Sequence, residues 1–192
     1  MADPEAPDAG TMTSAMLAAL AHPLRRRMLR MLSHRQSARG ADFVDELGVP
    51  SNSISFHIRT LARAGFLAEA PELARDKRDR VWVLVPGTYN VGVPSAPVAD
   101  AELGTAVLQA LASEHQELLA RSLSWVEEYA SGRTKELNGA FARHRIMLTE
   151  EQFEQAMKGI EGAIRVADEA SHDTPQGLLA WEIDIIAASE RI

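Results

Sequence analysis

The sequence contains no cysteine. That excludes disulfides, thiolate nucleophiles, iron–sulfur clusters and every thiolate-ligated metal site. No apolar run approaches the roughly 20 residues that a bilayer demands, so no membrane partner is expected. The opening stretch, 1–10, is acidic and proline-containing and lacks the basic and apolar regions of a secretory signal. There is also no glycine-rich phosphate loop, no nucleophile-elbow serine and no evident acid–base pair. His115, His144 and His172 are dispersed rather than spaced i, i+4, and Glu114-His115-Gln116-Glu117 is the one local ligand-like group. The expectation is a soluble cytoplasmic protein that is not an enzyme and carries no cofactor or metal.

What is present is an uneven distribution of charge. The chain has 192 residues and a formal net charge of −7. Residues 1–94 hold 12 Lys/Arg against 10 Asp/Glu, whereas residues 95–192 hold 8 against 17. Omitting the acidic tail, residues 12–94 reach +5. A basic module is joined to an acidic one, and association with a polyanion follows the local field rather than the total. Four segments are expected: a disordered tail over 1–11, a folded module over 12–85, a linker over 86–97 containing three prolines and two glycines, and a C-terminal region over 98–192.

The module opens with a helical pattern from Ser14 to Ala21, interrupted by His22-Pro23. A second helix follows from Leu24 to about Ser33, with Arg25, Arg26, Arg27 and Arg30 expected mostly on its solvated face. In Ala41–Leu67, Phe43, Val44 and Leu47 form a short apolar face that Gly48 ends. Ser51 is placed to cap the next helix, 51–64, in which Ile54, Ile58 and Leu61 recur at buried-stripe spacing. Two short helices around a tight turn, the second with small polar residues in its first turns, form a helix-turn-helix pattern. Strand-like runs at Phe66–Ala70 and Arg80–Val85 flank a basic loop, and together they make a wing over 71–80. The fold class is therefore mainly α with a small β-hairpin wing, followed by an α-rich C-terminal region in which two short strands are a further option.

The segments ALAHPLRRRMLRML at 18–32 and FVDELGVPSNSISFHIRTLARAGFL at 43–67 resemble the arsenical-resistance repressor (ArsR) family of bacterial winged-helix regulators. The resemblance covers about residues 14–85 and is most specific at Ser55-x-His57-Ile58-x-x-Leu61 with Ala64-Gly65. It implies a homodimer that presents two recognition helices to a near-palindromic operator in double-stranded DNA. It also implies transcriptional control, usually repression, adjusted by an effector. Two departures stand out: the thiolates of many metal sensors in that family are absent, and Phe56 stands where a polar residue is expected.

Ser51, Asn52, Ser53, Ser55 and Arg59 are the expected groove-facing set, with Asn suited to an adenine edge and Arg to guanine or phosphate. Phe56 fits either a thymine methyl or internal and dimer packing. His57 is expected to be half-buried and bonded to phosphate or backbone. Arg75, Lys77, Arg78 and Arg80 are expected to hold phosphates beside the groove.

In the C-terminal region, Glu102–Tyr129 reads as one long helix, expected to pack on its own copy in a dimer. Thr149-x-x-Gln152 begins another helix, from about 150 to 170. Phe141–Leu148 reads as a strand, and Leu178–Ala187 as either a closing strand or a helix. Trp125, Trp181 and Met147 fit ordinary core or an apolar cavity for a small-molecule effector. The alternative to a regulator of DNA is a winged-helix module for protein–protein assembly without sequence-specific DNA binding.

Overall fold

The structure, a computed structural model, describes residues 10–76, 78–87, 89–92, 95–172 and 177–191. It divides into two compact units, residues 1–114 and 115–192. Residues 1–9 of the expected tail and His172's side chain lie outside the described residues, as does Lys77 of the wing.

The first unit begins with strand β1 (Gly10–Thr11), then helix α1 (Ser14–Leu20), started by the Thr13 hydroxyl, which accepts from the Met16 amide. Helix α2 (Pro23–Arg35) follows at once. His22 caps it by accepting from the Leu24 amide through Nδ1 (3.1 Å), and Pro23 occupies the first turn, where no amide partner is needed. Strand β2 (Ser37–Arg39) leads into α3 (Gly40–Leu47), where the Arg39 amide donates to Asp42 Oδ2 at 2.6 Å. Gly48 ends α3 at φ 66°, a left-handed conformation that costs a residue with a Cβ. The recognition-type helix α4 (Ser51–Arg63) comes next, followed by β3 (Leu67–Glu69), β4 (Val81–Leu84) and β5 (Tyr89–Asn90). The unit closes with the first half of α5 (Ala101–Ala130), up to Glu114.

One antiparallel sheet has the order β2-β4-β3, with Ala38 opposite Trp82 and Ala68 opposite Val83. The predicted wing hairpin is present, and β2 adds a third strand that periodicity did not reveal. Met28, Leu32, Phe43, Ile54 and Leu61 are buried together beneath Trp82. A smaller cluster packs Leu17 and Leu20 of α1 on Val107 of α5.

Three expectations are corrected in this unit. Gly10–Thr11 of the expected tail pairs in parallel with Tyr89–Asn90 of the expected linker, and the Met12 amide extends the ladder to the Asn90 carbonyl. Backbone pairing thus orders both ends. Ser51 does not cap α4: Pro50 holds the cap position with no side-chain bond, and Ser51 is the first helical residue. The arginine run of α2 is not simply a solvated face. Arg25 is buried, donating through Nε to the Ala19 carbonyl and through Nη2 to the Ala18 carbonyl, both at 2.5 Å. Arg26 donates to the Leu20 carbonyl and, with Arg30, pairs with Glu114. Two arginines of α2 therefore satisfy the carbonyls that the end of α1 leaves open.

The second unit holds the rest of α5 and helix α6 (Glu150–His172). The expected capping box is present: Gln152 N donates to Thr149 Oγ1 and Thr149 N donates to Gln152 Oε1. Phe141–Leu148 does not form a strand, and Leu178–Ala187 forms neither a strand nor a helix. A strand exists through its ladder, and among the described residues neither segment pairs with a strand. Trp125, Trp181 and Met147 form neither core nor cavity, because Met147 is 94% and Trp181 51% exposed, while Trp125 is only half-buried.

Candidate nucleic-acid interface

Helix α4 is anchored by one face and open on the other. Ile54, Ile58 and Leu61 are buried at the expected spacing. Opposite them, Ser51, Asn52, Ser55, Phe56, Arg59 and Arg63 are exposed, and Ser53 lies at the margin. The Asn52 side chain accepts from the Ser53 amide through Oδ1. Phe56 is 56% exposed, so it does not pack internally. Arg63, two turns beyond Ser55 and one beyond Arg59, belongs to the same face and was missed. Continuing the i, i+4 series past Arg59 would have found it. Among the described residues neither Arg59 nor Arg63 has a carboxylate partner.

His57 does not join this face. It is 6% exposed, its Nδ1 lies 3.5 Å from Arg25 Nη1, and its ring centroid is 4.6 Å from that of His22. Burial first, then His22 and Arg25, hold its pKa below the ordinary imidazole value. Position 57 lies one turn from both Ile54 and Leu61, which turns the ring inward. The expected phosphate or backbone bond is replaced by contact with the guanidinium of α2. His22 is lowered as well, by burial and then by Arg25 and Arg26.

The wing cations fall into two groups. Arg75 and Arg78 are exposed. Arg80 is committed to Glu69, through Nε at 3.0 Å and Nη2 at 2.5 Å, and its guanidinium lies 5.0 Å over the Trp82 ring. That hydrogen bond holds the Glu69 carboxyl below its usual range. Arg80 therefore braces the strands instead of standing free for phosphate. At the wing's base Asp79 accepts from Arg39 Nε (2.8 and 2.9 Å) and from the Arg75 amide (3.1 Å), and these bonds lower its pKa. Asp76 Oδ1 accepts from the Arg78 and Asp79 amides, folding the tip into a turn.

The ligand-like group at 114–117 is engaged elsewhere: Glu114 pairs with Arg26 and Arg30, and His115 lies 3.0 Å from Asp184. Among the described residues no cluster of three His, Asp or Glu is arranged to hold a metal.

A helix-turn-helix whose second helix exposes a polar and basic face, flanked by a three-stranded wing, is a winged helix-turn-helix protein. Residues 20–70 match a family model described as a helix-turn-helix domain. Similar solved structures include HlyU from Vibrio cholerae, 19% identical over 38% of this chain and 73% of that one, with a TM-score of 0.33. The transcriptional repressor PagR of Bacillus anthracis is 18% identical over 37% and 76%, with a TM-score of 0.32. An ArsR family transcriptional regulator is 24% identical over 55% and 88%, also with a TM-score of 0.32. No curated protein matches the chain. At these scores the fold rests on the module's own geometry, which agrees with the domain match and with the ArsR-like sequence segments. No helix among the described residues is long and apolar enough to cross a membrane.

Proposed function

We propose that this protein is a cytoplasmic transcriptional regulator, a repressor and not an enzyme, that binds a near-palindromic operator as a homodimer. Helix 51–64 of each copy enters the major groove, where Asn52, Ser55 and Arg59 meet base edges and Phe56 meets a thymine methyl. Arg63 and the wing cations Arg75 and Arg78 hold phosphates on either side. The observation that carries this reading is the outward face of α4, in which two arginines without carboxylate partners stand beside small polar side chains on a buried apolar anchor. A small-molecule effector adjusts binding through the C-terminal region.

Selection of bound sequences from random duplex DNA tests it. Two half-sites about 10 bp apart, centre to centre, are expected of a two-fold dimer. The exposed Phe56 favours a second reading, a module for protein assembly. Indifference to duplex DNA at low salt would select that reading and end the first.

A further inference from the structure

Behind the exposed face of α4 lies a group of basic side chains with no acid among them. His57 and Arg25 are buried, at 6% and 9% exposure, and the ring of half-buried His22 lies 4.6 Å from that of His57. His22 stands between α1 and α2, so the three side chains fasten α4 to the α1–α2 junction. Among the described residues no carboxylate pairs with any of them.

The surrounding elements supply none either. Helix α4 packs against α1, α3 and β3, and α1 has no ionisable side chain. On α3, Asp42 accepts from the Arg39 amide, Glu46 pairs with Arg35, and Asp45 is exposed. Glu69 of β3 is held by Arg80. On α2, Arg26 and Arg30 are matched by Glu114, while Arg27 and His34 are exposed. Arg59 and Arg63 lie on the opposite, exposed face of α4.

This arrangement requires both imidazoles to be neutral. A guanidinium has donors and no acceptor, so His57 Nδ1, 3.5 Å from Arg25 Nη1, must turn a lone pair toward it. His22 Nδ1 is occupied in the same sense, because it accepts from the Leu24 amide to cap α2. A proton on His57 sets N–H against N–H beside a fixed charge, and a proton on His22 removes the cap. Arg25 cannot yield: two carbonyls at the end of α1 hold it, and arginine stays charged.

We propose that neutral His57, together with His22, is the positioning group of the recognition helix, and that protonation in mild acid releases α4 from its seat and so releases DNA. This rests on the DNA-binding reading and adds a condition to it. An imidazole freed into water titrates near its ordinary value of about 6.5. At about pH 5.5 each histidine therefore favours the released helix by about tenfold, and the two together by up to about a hundredfold. Apparent affinity scales with the fraction still seated. General electrostatics predicts the reverse, since protonated histidines elsewhere would draw DNA more tightly in acid.

The test titrates the full chain against a rhodamine-labelled random-sequence duplex by fluorescence anisotropy, at constant salt and at pH 7.5 and 5.5. Helix α4 carries Arg59 and Arg63 to the duplex, so its release is read on any sequence. Wild-type affinity should fall at least about tenfold at pH 5.5 while the far-UV circular dichroism is kept. His22→Asn with His57→Gln retains an acceptor at both positions and removes both titrations, so its affinity should be equal or tighter at pH 5.5. His57→Gln alone should cut the wild-type ratio of the two affinities at least about threefold, and it decides the matter if the double variant does not fold. Each ratio is internal to one protein, so a loss common to both pH values cancels. Wild-type binding unchanged or tighter in acid overturns the device and leaves the DNA reading standing. So does an acid weakening undiminished in His57→Gln, or one accompanied by loss of the helical signal, which is global unfolding. A chain that binds no duplex at either pH overturns the DNA reading and the device together.

Discussion

The division of the wing cations into free and committed gives a quantitative expectation for DNA affinity. Each phosphate neutralised contributes about 0.9 to the slope of log affinity against log salt. Arg75 and Arg78 stand exposed, so Arg75→Ala with Arg78→Ala should reduce the slope by about 1.8. Over a fourfold rise in salt, from about 50 to 200 mM, the variant should then lose about twelvefold less affinity than the wild type. Arg80 supplies the control, because its charge is already matched by Glu69 at 2.5 Å. Removing both partners, as Arg80→Gln with Glu69→Gln, leaves the local charge unchanged and should move the slope by less than about 0.5. Fluorescence anisotropy on a labelled random-sequence duplex at four or five salt concentrations reads all three proteins without knowledge of the operator. The reasoning fails if the neutral pair lowers the slope as much as the free pair does, or if losing Arg75 and Arg78 leaves it unmoved.

Three further outcomes concern the first unit. Arg25→Ala removes two charge-assisted bonds to the end of α1 and should destabilise by about 3 kcal/mol in urea unfolding; a loss under about 1 kcal/mol would show those carbonyls find other partners. His22 and His57 have lowered pKa values, so below about 6.5 the unfolded chain takes up protons that the folded chain refuses. Their contribution is complete above that pH and is lost as pH falls through it, so the melting temperature should drop between pH 7 and 5.5, and less so in His57→Gln. Gly48→Ala should cost about 1 kcal/mol in thermal unfolding, because φ 66° ends α3 in a conformation that alanine resists.

The parts of the fold that sequence revealed are those whose side chains repeat. The stripe Ile54, Ile58 and Leu61 located α4 and its outward face together, and Val81–Val85 located the wing. Strand β2 was illegible because it is three residues long and its one buried side chain is an alanine. It exists because Trp82 lies opposite Ala38 in the ladder, a tertiary fact. Arg25 was legible and misread. It lies one turn before Met28 and two before Leu32, on the buried face, and its charge masked its position. His57 was misread by contrast of context, since a polar residue in a recognition helix suggests an outward role. The C-terminal segments 141–148 and 178–187 carry strand-like patterns, yet a pattern states only that one side prefers apolar company and says nothing about which molecule supplies it.

The carboxylate of Asp79 grips the arginine that precedes α3 and the amide that begins the wing's tip. These bonds tie the base of the wing to the start of α3, and in the proposed complex that helix carries the tip to the duplex. The tip's offset from the groove is a dimension of the protein rather than an adjustable tether. On the proposed reading, a DNA site whose flanking backbone is displaced by unusual bending would forfeit the Arg75 and Arg78 contacts, and this one acid would make local DNA shape part of what is read.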